Sequence, residues 1–357
     1  MTIVMSRFVT AEDAARIEGV LAGHWQKRRA AAEAFGEDYS RLWAAIERSA
    51  HGGKLLRPAL VLCAYEELSV DAAPLRGAAV ELAAAFELLH TAFLLHDDVI
   101  DNDFVRRGQS NLAGERFDEG VAAGLGAANA ARWAQASAIL AGDLLIHDAQ
   151  SMVARLAVPE PVRLGLLDLL DAAVFASAAG ELSDVGLSAG AVSPEVPAVL
   201  DMTRWKTAPY SFAAPLRAGA VLAGAPAELG LLLEQFGGLI GTAFQLRDDV
   251  LGVFGDEQLT GKSTIGDARE GKMTAMMAFA RTTASWAELR LLIGPGGPGD
   301  IDRVRVLLVD SGALGYAERL IADLVAEALA LLEQPLVPAG LRAELAELAH
   351  RAAVRVS

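Results

Sequence analysis

A group of acidic side chains and two arginines follows an apolar run between residues 90 and 108, which read HTAFLLHDDVIDNDFVRRG. On a helix, Asp97 and Asp101 share one face, where their charges repel each other unless a cation lies nearby. Carboxylate oxygens suit a hard ion such as Mg²⁺, and the guanidinium groups of Arg106 and Arg107 suit phosphate. The stretch therefore predicts a metal–phosphate ligand, although a lone acidic pair is more often a solvated helix end.

A second acidic pair makes the solvated-end interpretation less convincing. The segment 228–250 has the pattern of a long apolar helix and carries FQLRDD near its end, with Asp248 and Asp249 as the pair. Two acidic helix ends that opposed each other across a bundle would hold a cluster of Mg²⁺ ions.

Cations occur in four separate stretches and indicate more than one phosphorylated group. Lys54 and Arg57 follow a Gly-Gly break, where a helix start would add backbone N–H groups to an anion site. The glycine-rich segment 252–274 has the composition of a lid over phosphate. The remaining cations of this kind are Arg106, Arg107, Lys206, Lys262 and Lys272. No Walker-type loop is present, and a diphosphate leaving group would account for this much positive charge.

The elements that must position these groups are helices. Leu82, Phe86, Leu89 and Phe93 recur at spacings of three and four, which is typical of the buried face of a helix. No alternating segments are separated by Asn-Gly or Asp-Gly turns. The sequence predicts an all-α chain without a significant β-sheet, folded as one domain over residues 1–357, with GPGGPG at 294–299 as a connector.

Composition excludes several classes of protein. The 357 residues carry a net charge of −15, which argues against binding to nucleic acid or to an anionic membrane surface. The single cysteine, Cys63, cannot form an intrachain disulfide. No signal pattern begins the chain, and no apolar run reaches the ~20 uninterrupted residues of a membrane helix. We therefore expect a cytoplasmic protein without stable membrane insertion.

Taken in order, these motifs resemble the trans-isoprenyl diphosphate synthases of the polyprenyl synthetase family, and in particular bacterial geranylgeranyl diphosphate synthases. The resemblance extends over residues 53–274. The matching motifs are GKxxRP at 53–58, DDxxDxxxxRRG at 97–108, KT at 206–207, YSF at 210–212, FQxxDD at 244–249 and the GK…GK lid at 261–272. The resemblance implies a large helical bundle around a central cavity, a homodimer, and Mg²⁺ as cofactor, with three ions that Mn²⁺ can replace.

The resemblance also implies a role for each matching residue. The metal ligands would be Asp97, Asp98, Asp101, Asp248 and Asp249. The isopentenyl diphosphate site would comprise Lys54, Arg57, His90 and Arg107. The allylic diphosphate site would comprise Arg106, Lys206, Thr207, Gln245, Lys262 and Lys272, with the oxygen atoms of Thr207 and Gln245 directed at the allylic cation. The reaction would be ionisation of the allylic substrate, attack by the isopentenyl double bond and loss of a proton.

Product length is expected to follow from the side chains below the first acidic pair. One helical turn rises ~5.4 Å, close to one extended isoprene unit. Phe93, Ala92 and Leu89 lie four, five and eight residues before Asp97, so they would act as successive floors. The small side chain of Ala92 leaves room for the hydrocarbon tail, whereas the ring of Phe93 narrows that space. The sequence therefore favours a C20 product, geranylgeranyl diphosphate, over C15 or longer products.

The chain departs from the family pattern at three positions. The second acidic motif usually ends in a third aspartate, but Gly252 stands there, and Asp256 is the nearest later carboxylate. Glu181 stands where glutamine is common, and Leu55 replaces a common arginine. These departures put in question how a third metal ion would be held.

Several other functions are compatible with part of this pattern. An inactive regulatory subunit would keep the same motifs, whereas a terpene cyclase would not need cations for a second diphosphate. The ExxH patterns at 87–90 and 347–350 fit a di-iron bundle but leave every phosphate-binding cation unexplained. His96-Asp97 alone does not make a phosphohydrolase of the HD type.

Overall fold

The computed structural model describes residues 10–106, 108–255, 272–293 and 300–354. In this part of the chain the only β-structure is an antiparallel pair, β1 (Val105–Arg106) and β2 (Gln109–Ser110). Everything else that is regular is helical, which confirms the all-α prediction. The helices of the first half are α1 (Ala11–Ala32), α2 (Glu37–Ala50), α3 (Leu56–Leu68), α4 (Arg76–Ile100), α5 (Leu112–Ala122) and α6 (Ala127–Ala154). The later helices are α7 (Glu160–Ser188), α8 (Val196–Ala208), α9 (Ala214–Leu222), α10 (Ala227–Phe254), α11 (Ala275–Ala280), α12 (Trp286–Leu292), α13 (Ile301–Asp310), α14 (Ala313–Leu332) and α15 (Ala339–Val354).

The described residues form two compact units. The first comprises the described residues up to Asp168 together with Ala218–Ala225, and the second comprises Leu169–Arg217 and the described residues from Pro226 onward. The expectation of one domain over residues 1–357 stays a prediction. The GPGGPG connector at 294–299 lies outside the described residues.

The first unit is built on α4, which packs against α1, α3 and α6. Its predicted apolar stripe is buried at Leu82, Phe86 and Leu89, whereas Phe93 keeps part of its surface exposed. Helix α1 begins at Ala11, and the side chain of its N-cap, Thr10, accepts a hydrogen bond from the backbone N–H of Asp13. Burial of the apolar face thus fixes α4, the helix that carries the first acidic pair.

The second unit is built on α10, which packs against α8, α14 and α15. Helix α8 is followed directly by a π-helical segment, Pro209–Ala213. Proline has no backbone N–H to continue an α-helical ladder, and here the ladder shifts so that the N–H of Ala214 donates to the carbonyl of Pro209. Single π-turns within helices are frequent at functional sites.

Among the described residues, two helices are long and apolar enough to cross a membrane when judged by length and composition alone. They are Arg76–Ile100 and Ala227–Phe254, and their most apolar windows are 78% and 61% buried within the protein. Helices at the centre of a protein core pass the same test. Their burial therefore identifies them as core helices.

Candidate active site

The first acidic pair lies in the last turn of α4, and a guanidinium group holds both of its carboxylates. Nε of Arg106 lies 2.7 Å from Oδ1 of Asp98, and its Nη2 lies 3.1 Å from Oδ2 of Asp97. Asp101 is the residue that caps α4. Acidic side chains are unfavourable at a helix C-terminus, where the helix dipole is negative. The positive charge of Arg106 compensates for the negative charge of these side chains at the end of α4.

The buried carboxylate of this pair has a perturbed pKa. Asp98 is 3% exposed, and burial raises its pKa to about 6 even though Arg106 opposes the rise. Burial also opposes the charged form of Arg106, but its hydrogen bonds to Asp98 and Asp97, together with the negative charges of these two groups, outweigh burial and raise the pKa of the guanidinium group. Arg106 therefore stays charged at neutral pH, and an additional cation at this site would stabilise the charged form of Asp98 against the effect of burial.

A tight reversal of the chain returns Arg106 to the end of α4. Asn102 adopts a left-handed backbone conformation with φ of 55°, and the N–H of Asp103 donates to the carbonyl of Asp98 over 2.8 Å. The side-chain amide of Asn111, the N-cap of α5, then donates to the carbonyl of Asp103 and accepts from the N–H of Gly114 in the first turn of α5. The hairpin β1–β2 between these bonds places Arg106 against the carboxylates.

The predicted isopentenyl diphosphate residues Lys54 and Arg57 lie where α3 begins. Leu55, between them, has a left-handed backbone with φ of 50°, a conformation that costs a non-glycine residue free energy and is often found at functional sites. Gly53 lies against the buried carboxyl group of Glu87 on α4, where an added Cβ would lie 2.5 Å from Oε1. The half-buried His90 follows Glu87 by three residues on α4.

In the second unit, Lys206 lies between two carboxylates of α7. Its Nζ is 2.7 Å from Oδ2 of Asp184 and 3.1 Å from Oε2 of Glu181. The two helices touch backbone to backbone here, because a Cβ on Gly180 would overlap the backbone nitrogen of Lys206 and lie 2.6 Å from its Cα. A glycine at this crossing therefore fixes which residues surround Lys206.

A short chain of hydrogen bonds joins α8 to the second acidic motif. The hydroxyl of Thr207 donates to Oε1 of Gln245 over 2.8 Å, and Nε2 of Gln245 donates to Oδ1 of Asp249 over 3.0 Å. Asp248 is the neighbouring residue on α10. Gly252 lies one turn later on the same helix, so this face offers no third carboxylate within α10.

The described structure thus brings together Asp97, Asp98 and Arg106 in one unit, and Thr207, Gln245 and Asp249 in the other. Lys272 is half-buried and lies two residues before Thr274, the N-cap of α11. The other predicted ligands, Arg107 and Lys262, lie outside the described residues, as does Asp256. Their roles stay predictions.

Sequence reasoning missed the contacts of Lys206 with Glu181 and Asp184. In the sequence, Glu181 stands out only as a departure from a common glutamine, and nothing singles out Asp184. The available signal was the spacing of three that puts both carboxylates on one face of α7. Nothing in that spacing identifies Lys206 as their partner.

The carboxylates suit a magnesium ion that is coordinated in part by the protein and in part by a phosphate group. No cluster of three or more histidine, cysteine, aspartate or glutamate side chains suited to a metal ion occurs among the described residues. Magnesium does not require such a cage, because it is usually held by one or two carboxylates together with water and substrate phosphates. Asp97 and Asp101 supply oxygen donors of this kind, one helical turn apart.

The three predicted floor residues differ in exposure. Leu89 and Ala92 are completely buried in the first unit, whereas Phe93 is only partly buried and lies one turn before Asp97. A side chain that meets a growing hydrocarbon must present surface to it. Exposure therefore favours Phe93 among the three.

Comparison with known proteins agrees with these motifs. The family model for polyprenyl synthetase matches residues 40–308. The chain is 36% identical over 271 residues to geranylfarnesyl diphosphate synthase of Aeropyrum pernix, with 75% of this chain and 79% of the relative covered. It is 34% identical over 285 residues to a short chain isoprenyl diphosphate synthase of Methanothermobacter thermautotrophicus, with 79% and 80% covered.

A solved structure is similar over nearly the whole chain. Geranylgeranyl pyrophosphate synthase from Corynebacterium glutamicum, complexed with isoprenyl diphosphate and magnesium, superimposes with a TM-score of 0.89 at 27% identity and covers 99% of this chain and 100% of its own. The family match, the relatives and the motif geometry agree. This chain belongs to the polyprenyl synthetase family and is an isoprenyl diphosphate synthase, a prenyltransferase.

Proposed function

We propose that this enzyme condenses isopentenyl diphosphate with allylic diphosphates and releases mainly geranylgeranyl diphosphate, a C20 product. The observation that carries the proposal is the pairing of Arg106 with Asp97 and Asp98, which joins a phosphate-binding fork to two oxygen donors at one helix end. A cation and a carboxylate-bound metal ion both stabilise the negative charge of a diphosphate that leaves from carbon.

The enzymes of this family depend on magnesium. We propose that Asp97, Asp98, Asp101, Asp248 and Asp249 hold three ions and that Mn²⁺ can replace them. Bound magnesium neutralises the diphosphate so that it can act as a leaving group. The donor set consists of hard oxygen atoms, as this ion prefers.

The protein's own groups bind, orient and stabilise charge. Arg106, Lys206, Lys262 and Lys272 take up the negative charge of the allylic diphosphate while its C–O bond ionises. The oxygen atoms of Thr207 and Gln245 direct their dipoles at the allylic cation. Lys54, Arg57, His90 and Arg107 hold isopentenyl diphosphate, whose double bond forms the new C–C bond. This bond formation leaves a carbocation on the isopentenyl unit, and loss of a proton from the carbon next to it, to the released diphosphate, forms the new double bond. The reaction therefore needs no protein nucleophile.

Support for the C20 length comes from α4. Ala92 is small and completely buried, and the bulkier Phe93 presents its surface one turn before Asp97. One helical turn rises ~5.4 Å, close to one isoprene unit, so a bulky side chain one turn below the acidic pair limits how far the hydrocarbon tail can extend. The similar enzymes named above include geranylfarnesyl and geranylgeranyl synthases.

We also propose that the enzyme is a cytoplasmic homodimer. Helix α7 exposes large apolar side chains at Phe175 and Leu182, which are 79% and 75% exposed, and Val185 lies three residues further on. Apolar side chains that recur on one face of a helix mark an interaction surface. A second copy of the chain is the occupant expected of a two-fold symmetric assembly.

The direct test is product analysis with purified enzyme, Mg²⁺, radiolabelled isopentenyl diphosphate and dimethylallyl, geranyl or farnesyl diphosphate in turn. Dephosphorylated products should chromatograph as geranylgeraniol with each primer, and chelation of the metal by EDTA should abolish turnover. Asp97→Ala and Asp248→Ala should each lower kcat by at least about 100-fold. Absence of any prenyl product with every primer would refute the proposal.

A further inference from the structure

We propose that Glu181 is a positioning residue that weakens the grip of Lys206 on the allylic diphosphate, an inference that rests on the function proposed above. Lys206 is surrounded by one carboxylate from Glu181 and one from Asp184. One positive and two negative charges leave this group of three side chains with a net charge of −1. A lysine so compensated attracts a polyanion less than a lysine next to a single carboxylate.

The group is screened only in part by water. The side chains of Lys206, Glu181 and Asp184 are 21%, 23% and 14% exposed. Charges in such a setting interact more strongly than charges on an open surface. The balance of charge around Lys206 therefore affects any anion that binds to it.

The backbone of Lys206 cannot move away from α7 without separating two helices. The backbone of α8 at Lys206 touches the backbone of α7 at Gly180, the residue immediately before Glu181. Asp184 follows on the same face of α7. The contact between the two backbones thus fixes the positions of the three residues, and only their side chains can adjust.

The two carboxylates differ in how firmly they hold the lysine. Asp184 has the shorter side chain, the shorter contact of 2.7 Å and the lower exposure. Glu181 has an additional rotatable bond and makes longer contacts of 3.1 and 3.2 Å through its two oxygens. We assign Asp184 as the anchor and Glu181 as the partner that phosphate oxygens must displace.

This assignment predicts a specific kinetic signature. Glu181→Gln keeps the shape of the side chain but removes its charge, so the KM for geranyl diphosphate should fall about two- to fivefold, the range expected for one partly exposed ion pair. The values of kcat and of KM for isopentenyl diphosphate should stay unchanged. Asp201→Asn is the matched control, because it removes an exposed carboxylate from α8 five residues before Lys206 and should leave all three constants unchanged.

A double-mutant cycle shows whether Glu181 acts through Lys206. The Kd of geranyl diphosphate, measured by calorimetry with Mg²⁺ and without isopentenyl diphosphate, should fall on Glu181→Gln in the wild-type background. The same change should have no effect in a Lys206→Met background. Glu181→Ala, which removes the charge together with the side chain, should lower the Kd as Glu181→Gln does.

The outcomes separate this inference from the proposed function. Wild-type enzyme that forms no prenyl product refutes the function itself. Active wild-type enzyme whose KM for geranyl diphosphate is unchanged or higher in Glu181→Gln overturns only the role of Glu181. An equal fall in Kd in the Lys206→Met background also overturns it, since Glu181 would then act on the diphosphate directly.

Discussion

Arg106 and Asp98 form a charge-assisted hydrogen bond of 2.7 Å between Nε and Oδ1 at the end of α4. The same guanidinium group reaches Asp97, so one side chain bridges both members of the acidic pair. Arg106 thereby neutralises a buried carboxylate whose pKa burial raises to about 6. A residue proposed to bind the diphosphate also maintains the site that would receive the metal ion.

Replacing Arg106 should therefore harm both activity and folding. Arg106→Met leaves Asp98 buried without the guanidinium group that pairs with it. Loss of one partner of a buried ion pair lowers the free energy of unfolding by about 3–5 kcal/mol. Loss of a donor to the leaving group should lower kcat/KM by about 100-fold. Arg106→Lys keeps the charge without the planar fork and should recover most of the stability but little of the activity.

Urea unfolding and steady-state kinetics measure these two effects. Arg132→Met, at an exposed position of α6 in the same unit, is the control and should change neither quantity. If Arg106→Met were as stable and as active as the wild type, the contact of Arg106 with Asp97 and Asp98 would have no role in folding or catalysis.

The contact of Gly180 with Lys206 predicts opposite effects for two Gly→Ala substitutions. Gly180→Ala places a Cβ 2.6 Å from the Cα of Lys206 and should lower the free energy of unfolding by about 1–3 kcal/mol through overpacking. Gly238→Ala, in α10, meets no atom within 4 Å and should raise that free energy by about 0.5–1 kcal/mol, because alanine favours helix. Urea unfolding of both variants checks the difference in sign, and equal effects would contradict the close approach.

Local patterns were sufficient to predict the long helices and the first acidic pair. The spacing of Leu82, Phe86, Leu89 and Phe93 predicts the buried face of a helix, and the structure has the helix Arg76–Ile100 there. The period of apolar residues and the placement of acidic residues both operate within a few turns of one helix. Arg106 was likewise close enough in sequence for its motif to place it beside the aspartates.

The surroundings of Lys206 could not be predicted in the same way. Glu181 and Asp184 lie 25 and 22 residues before it, and they meet it only because two helices cross at a glycine. Helix crossings depend on packing of whole faces, which no short motif encodes. The left-handed backbone at Leu55 is a similar case, since leucine gives no local signal for it.

Phe93 should determine product length. Phe93→Ala removes a partly exposed ring one turn before Asp97, so the hydrocarbon tail should extend and the main product should shift beyond C20. Chromatography of dephosphorylated products measures the shift. Phe35→Ala removes a ring that is 76% exposed and should leave product length unchanged. An unchanged distribution in Phe93→Ala would reject this residue as the floor.

The apolar face of α7 should control assembly. Wild-type protein should sediment at about twice the 37.4 kDa chain mass. Phe175→Glu combined with Leu182→Glu should raise the dimer dissociation constant by at least about 10-fold, because charge would be buried at the interface. Val70→Glu, at a fully exposed loop position, is the control for added charge. A double variant that stays as dimeric as the wild type would place the interface elsewhere.

His24 should make stability depend on pH. Its Nε2 lies 3.0 Å from Oδ2 of Asp148, a carboxylate that Arg28 also holds over 2.9 Å. Burial lowers the pKa of His24 from 6.5 to about 4, and the positive charges of Arg28 and Lys27 act in the same direction. Between these two pH values the unfolded chain binds a proton at this position and the folded chain does not, so the free energy of unfolding falls as pH falls.

This contribution should be fully present above pH 6.5 and lost as the pH approaches 4. The loss should reach about 1–2 kcal/mol after allowance for the partial exposure of the ring. His24→Gln can still donate to Asp148 but does not titrate, so its stability should fall less than that of the wild type between pH 7 and pH 4.5. His147→Gln, at an exposed position of α6, should keep the full wild-type dependence. Parallel urea unfolding curves at the two pH values test this prediction. If His24→Gln and the wild type lost equal free energy of unfolding between them, the buried imidazole would not be the cause of the loss of stability at acidic pH.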